Sequence, residues 1–117
     1  MSGQLTQKKC IACEGGIPSL TDEGINKLMP QIPGWELTTT NQDGAEVKAL
    51  TKELIFKDFR AVMTFLRKVE ELAEAEGHHP DFSVHYNHLV FTIWTHAISG
   101  LHENDFIMAA KIDQLNN

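Results

Sequence analysis

A periodic stretch in the middle of the chain constrains the fold more than any other feature. Its apolar side chains recur every three or four residues, with glutamates among the intervening polar positions; they are Phe59, Val62, Leu66, Val69 and Ala73. This spacing predicts an amphipathic helix of about five turns from Asp58 to Glu76, because it gathers the apolar side chains on one face. Gly77 follows at a position typical of a helix C-cap. Such a helix must bury its apolar face against another layer.

A pair of strands is predicted on each side of this helix. Trp35 to Thr39 and Ala45 to Phe56 are the first pair, joined by a turn at Asn41-Gln42-Asp43-Gly44. Ser83 to Tyr86 and Leu89 to His96 are the second pair, with a tight turn at Asn87-His88. Alternation along the last strand puts four side chains on one face, namely Val90, Thr92, Trp94 and His96.

Two further helices are predicted at the ends of this arrangement. Thr21 can cap the first, and His102 begins the last, with Asp105 near its third position. The order is α-β-β-α-β-β-α, and the links within each strand pair are of hairpin length. We therefore predict an α+β fold, a four-stranded antiparallel sheet with three helices packed on one face.

The chain of 117 residues fits one domain, which we place at residues 20–117. Residues 1–19 are predicted to be a flexible leader that contains Cys10-x-x-Cys13. This motif is half of a zinc site without a second pair, and nothing before it resembles the strand that precedes a redox motif. Reduced thiols in a mobile leader are the interpretation we favour.

Charge and hydropathy exclude several classes of protein. The net charge is −6 and the basic residues are scattered, which argues against direct nucleic-acid binding. No apolar run approaches the ~20 residues of a membrane span. The first sixteen residues lack the pattern of an export signal, so we expect a cytoplasmic protein.

Histidine is the residue type that points to chemistry. All six histidines lie in the stretch from His78 to His102. The adjacent pair His78-His79 follows the helix end, and Pro80 keeps His79 out of the α conformation. His96 closes a strand that should end nearby. Imidazoles ionise near pH ~6.5, which suits these three to proton transfer at neutral pH.

Other interpretations of the histidines remain open from the residues alone. Each can be structural: His85 and His88 flank a hairpin, and His102 begins a helix. A metal ion could be held by His78 and His96 with Asp105 or Glu74, although nothing forces that arrangement. A serine or cysteine nucleophile has no supporting motif.

The order of these residues resembles a known family. The string Glu74-x3-His78-His79-Pro80-x5-Tyr86-x9-His96-x8-Asp105 is similar to the signature of the pterin-4a-carbinolamine dehydratases, without a gap. The leader and Ile32-Pro33-Gly34-Trp35 look like those of bacterial members. One departure is Asn104, where some members have arginine, so a basic contact there is absent or supplied otherwise.

The resemblance implies a reaction. Such a dehydratase removes water from a 4a-hydroxytetrahydropterin and gives the quinonoid dihydropterin, by histidine acid–base catalysis without metal or cofactor. It implies that His79 and His96 transfer protons while His78 positions the ring or hydroxyl. Five residues would bind or orient the substrate: Glu74, Pro80, Tyr86, Trp94 and Asp105. We expect Tyr86 to pack at the pocket wall, Trp94 to pack or stack on the pterin, and Asp105 either to orient an imidazole or to face the helix dipole.

The resemblance also implies partners. The substrate is a small pterin, the functional link is to an aromatic amino-acid hydroxylase such as one for phenylalanine, and the chain should form a homodimer or homotetramer. Two alternatives stay open: a dimerisation or transcriptional regulatory module, and a related activity on another pterin, as in molybdopterin metabolism. The intact set of histidines favours an enzyme.

Overall fold

The computed structural model describes residues 5–11 and 18–116. Three helices and four strands alternate in the predicted order, which confirms the α+β class. The helices are α1 at Asp22–Leu28, α2 at Phe59–Glu76 and α3 at Glu103–Leu115. The strands are β1 at Glu36–Gln42, β2 at Ala45–Ile55, β3 at Asp81–His85 and β4 at His88–Ile93.

The strands form one antiparallel sheet in the order β1-β2-β4-β3. The central strand β4 alternates between fully buried and half-buried side chains. Phe91 of β4 lies opposite Lys52 of β2 and Phe82 of β3, and its ring contacts Phe65 of α2. The core therefore lies between the sheet and the helices. No helix within the described ranges is long and apolar enough to cross a membrane.

The helix boundaries follow local signals that the sequence contains. Asp58 caps α2 by accepting a hydrogen bond from the Ala61 N–H, and Gly77 ends the helix in the left-handed conformation at φ 67°. Thr21 caps α1 in the same way. The N-terminus of α3 has a capping box formed by His102 and Asp105. These predictions are confirmed.

The second hairpin differs from the prediction. Its turn is Tyr86-Asn87, with Tyr86 at φ 54°, so β3 ends at His85 rather than Tyr86. The strand begins at Asp81 rather than Ser83. Strand β4 ends at Ile93 because Thr95 pairs with Gly100, and the chain then bends into a short 3-10 turn at His96–Ile98. His96 is therefore in a turn, and the prediction that it closes the strand is wrong.

The first part of the leader is also unlike the prediction. Leu5 is buried in the core, and the backbone of Cys10 and Ile11 is hydrogen-bonded to Glu76 and Asn104. Residues 5–11 are therefore packed against the domain, and a mobile leader is the wrong description of them. Cys13 lies outside the described residues.

Candidate active site

The candidate site lies where α2 ends. Gly77 turns the chain out of the helix, and the His78 N–H still donates to the Ala73 carbonyl (3.3 Å). His79 and Pro80 follow, and β3 begins directly afterwards. The backbone here is held by the helix on one side and by the sheet on the other, so the two imidazoles start from a rigid base.

His78 is fixed by Asp105. Its Nε2 lies 2.7 Å from Asp105 Oδ1, and the imidazole is only 14% exposed. The second carboxylate oxygen accepts from Thr95 Oγ1 and from the His102 N–H, each at 2.9 Å. Asp105 is fully buried. It therefore caps α3 and orients an imidazole at once. Because a carboxylate accepts, Nε2 bears the hydrogen and the lone pair of the neutral ring lies on Nδ1.

His79 has a similar partner but a different environment. Its Nε2 lies 2.7 Å from Glu74 Oε2, one turn back on α2, and its side chain is 62% exposed. Both residues and Pro80 line a groove of about 590 Å³ between α2 and the edge strand β3. Apolar side chains such as Leu66 and Val84 form the rest of its wall. A substrate can reach this imidazole directly.

His96 stacks on Trp94. The two rings lie 4.2 Å apart at 21°, and Trp94 is buried while His96 is 62% exposed. Gln42, the last residue of β1, holds both residues. It accepts from Trp94 Nε1 (2.7 Å) and donates to the His96 carbonyl (3.1 Å). The expected packing role of Trp94 is therefore present, and one face of its ring is covered by His96.

Two contacts connect His96 and its neighbour Thr95 to the segments that carry the other two histidines. His96 Nε2 lies 4.0 Å from Asp81 Oδ2, and Asp81 is two residues after His79. Thr95, which precedes His96, donates to the carboxylate that holds His78. Sequence reasoning missed Asp81, Thr95 and Gln42. The position of Asp81 directly after His-His-Pro was the one available signal.

Tyr86 is placed elsewhere. It occupies the β3-β4 turn, at the opposite end of β3 from His79, and it is 65% exposed. The prediction that Tyr86 packs at the pocket wall is wrong, because the turn directs this side chain to solvent.

Three other histidines have local roles or lie in the same hairpin as Tyr86. His102 caps α3, His88 Nδ1 lies 2.7 Å from Glu53, and His85 is exposed.

The surroundings of the Cys10 thiol disfavour its reactive thiolate form. Burial raises the pKa of Cys10 to about 12, with the nearby charge of Glu76 acting in the same direction. Across residues 5–11 and 18–116, no three histidine, cysteine, aspartate or glutamate side chains are placed to hold a metal ion together.

Comparisons with known proteins add a family. The sequence model of a family described as pterin 4 alpha carbinolamine dehydratase matches residues 18–115. A "putative pterin-4-alpha-carbinolamine dehydratase" of Methylococcus capsulatus is 49% identical over 95% of this chain and 92% of that protein. One of Azoarcus sp. with the same name is 40% identical over 98% and 93%.

A solved structure has a similar fold. It is described as a transcriptional coactivator/pterin dehydratase from Brucella melitensis, with a TM-score of 0.71 at 31% sequence identity. The match covers 85% of this chain and 99% of that chain.

Proposed function

Because this chain belongs to the pterin 4 alpha carbinolamine dehydratase family of hydro-lyases, we propose that it removes water from a 4a-hydroxytetrahydropterin. The product is the quinonoid dihydropterin. As the C4a–O bond breaks, a general acid protonates the departing oxygen and the N5 lone pair forms the new C–N double bond. The resulting cation then loses a proton to a base. In this proposal the pterin is the substrate, and acid–base catalysis by histidine needs no metal or cofactor.

One observation supports this assignment above the others. Two solvent-accessible imidazoles come from distant parts of the chain: His79 lies two residues before Asp81 in the sequence, and His96 lies 4.0 Å from the Asp81 carboxylate. Asp105 holds a third imidazole, that of His78. Proton transfer needs groups that a substrate can reach, and both rings are largely exposed. His78 has little exposure and a fixed tautomer, which suits it to position the substrate.

The test is a direct assay. The 4a-carbinolamine is generated in situ by a hydroxylase, and its loss is followed by ultraviolet absorbance. We expect His79→Gln and His96→Gln each to lower kcat about 100-fold, within the usual range for loss of a general acid or base. His85→Gln, an exposed histidine of β3, is the matched control and should keep the wild-type rate.

Two outcomes of this assay contradict the proposal. Wild-type rates in both folded variants would remove His79 and His96 from the mechanism. Loss of activity after dialysis against a chelator, restored by a divalent cation, would show that a metal takes part. Substrate profiling with other reduced pterins in the same assay separates the hydroxylase-linked reaction from an activity on another pterin.

A second candidate function is an interaction module. The Brucella protein is described as a coactivator as well as a dehydratase, and both β1 and β3 are edge strands here. Light scattering behind size exclusion measures whether the chain forms the expected dimer or tetramer. If the histidine variants lose the dehydratase rate and keep the same assembly, the two functions are separable.

A further inference from the structure

Two leader residues join the two segments that hold the His78–Asp105 pair. We call residues 10 and 11 the strap. The Cys10 N–H donates to Glu76 Oε1 (2.8 Å), and the Ile11 N–H donates to Asn104 Oδ1 (3.0 Å). Asn104 Nδ2 donates back to the Ile11 carbonyl (2.6 Å), so one amide pairs with both polar groups of the Ile11 backbone. The Cys10 thiol adds a weak contact to the Asn104 carbonyl at 3.6 Å.

The strap contacts lie next to the site in sequence. Glu76 is two residues before His78, and Asn104 directly precedes Asp105. The bond between His78 and Asp105 therefore depends on how far the end of α2 lies from the start of α3. The Glu76–Lys111 pair joins the same two helices (2.8 Å), and the strap adds contacts to both segments beside the site. Asn104 itself is buried, so its amide is held in place.

We propose that the strap is a positioning element of the site and that Asn104 is its positioning residue, acting through Asp105 on His78. This inference rests on the proposed dehydratase function. Alanine in place of Asn104 has no group that can pair with the Ile11 backbone. A small misplacement of an orienting group is enough to slow a reaction up to about 100-fold.

The kinetic experiment separates positioning from stability. We expect Asn104→Ala to lower kcat about 10-fold with little change in KM, because it misplaces a group without removing it. The matched control is Ile25→Val or Ile25→Ala, whichever gives the same fall in Tm; Ile25 is buried in α1, outside the strap and the two segments that the strap joins. The control should keep kcat. If the control loses as much kcat as Asn104→Ala, the effect is one of stability and the proposal is overturned.

A double-mutant cycle tests the route of the effect. If Asn104 acts through Asp105, adding Asn104→Ala to Asp105→Asn lowers kcat little further. A full additional 10-fold loss would mean that Asn104 acts elsewhere, and the proposal would be overturned.

An experiment without substrate keeps this inference separate from the proposed function. In ¹⁵N-labelled protein the His78 ring, assigned by its loss in His78→Gln, should show an Nε2–H protected from exchange by the bond to Asp105. We expect Asn104→Ala to shift this resonance and speed its exchange, and Ile25→Val to leave it unchanged. An unaltered resonance in Asn104→Ala overturns the strap proposal. A wild-type protein without dehydratase activity contradicts the proposed function instead, and the resonance still tests the strap.

Discussion

Asp105 shows how one carboxyl group serves both the fold and the site. One oxygen accepts from the His102 N–H, which caps α3, and from Thr95 Oγ1, and the other accepts from His78. The two roles that the sequence left as alternatives are compatible because a carboxylate has enough lone pairs for all three donors. Its burial makes these bonds necessary, since a buried carboxylate without donors is strongly destabilising.

Replacing Asp105 with asparagine should separate these roles only in part. The amide keeps one acceptor oxygen, so either the cap or the His78 bond is lost. We expect kcat to fall about 100-fold, because the imidazole loses the partner that fixes its tautomer. His102→Ala is the control: it removes a capping bond at a cost of about 1 kcal/mol in the free energy of unfolding and leaves the His78 bond intact. Equal effects on kcat in both variants would show that Asp105 acts only through the cap.

Cys10 gives a second prediction at the scale of a residue. Burial and the charge of Glu76 raise the pKa of its thiol to about 12, so at pH 8 almost no thiolate is present. In a Cys13→Ser background, alkylation by iodoacetamide at pH 8 should be at least about 100-fold slower in native protein than in urea. Mass spectrometry follows the added group. Rapid alkylation of the folded protein would show that the Cys10 thiol is not buried beside Asn104 and Glu76.

At the scale of elements, the sequence predicted what local chemistry determines. Asp58 and Gly77 bound α2, and both act through groups within a few residues of themselves. The end of β4 was not predictable in this way. Alternation continues through Trp94 and His96, whereas the strand stops because Thr95 pairs with Gly100 beyond a turn. Tyr86 adopts a positive φ that favours glycine or asparagine, so its place in the turn had no sequence signal.

The C-cap of α2 is the element boundary on which the site depends. Gly77 has φ 67°, and a Cβ there would have no atom within 4 Å. Gly77→Ala should therefore reduce the free energy of unfolding by about 1 kcal/mol through backbone strain alone. Gly24→Ala in α1 is the matched control, because its backbone is helical and an added Cβ makes ordinary contact with Leu20. It should be neutral or slightly stabilising. Urea unfolding measures both, and equal losses would contradict the assignment of strain to Gly77.

At the scale of the whole molecule, the contacts that assemble the site join segments far apart in the chain. Glu76 at the end of α2 meets Lys111 of α3 (2.8 Å) and the Cys10 N–H of the leader. Local sequence patterns do not encode such pairs, which is why the leader was predicted to be mobile and Asn104 was noted only as a departure from the family. The histidines and Asp105 were predictable because the family resemblance already contains the result of these long-range contacts. Their catalytic roles stay a prediction.

The buried pair of Glu76 and Lys111 predicts how stability depends on pH. Burial raises the pKa of Glu76, but hydrogen bonds from Lys111 and the Cys10 N–H outweigh it and leave the pKa below the usual 4.5. A carboxyl group with a lowered pKa in the folded state stabilises the protein above about pH 4.5, and that contribution is lost as the pH falls through the lowered value.

The difference in unfolding free energy between wild type and Glu76→Gln should therefore be constant from pH 7 to 5 and should shrink below pH 4.5. In a Lys111→Met background the pKa of Glu76 loses its main lowering influence and moves back toward 4.5, so the decline of this difference below pH 4.5 should become smaller. Urea unfolding at pH 7, 5, 4 and 3 measures these differences. If this difference in unfolding free energy does not change with pH, the charge of Glu76 does not stabilise the contacts among α2, α3 and the leader.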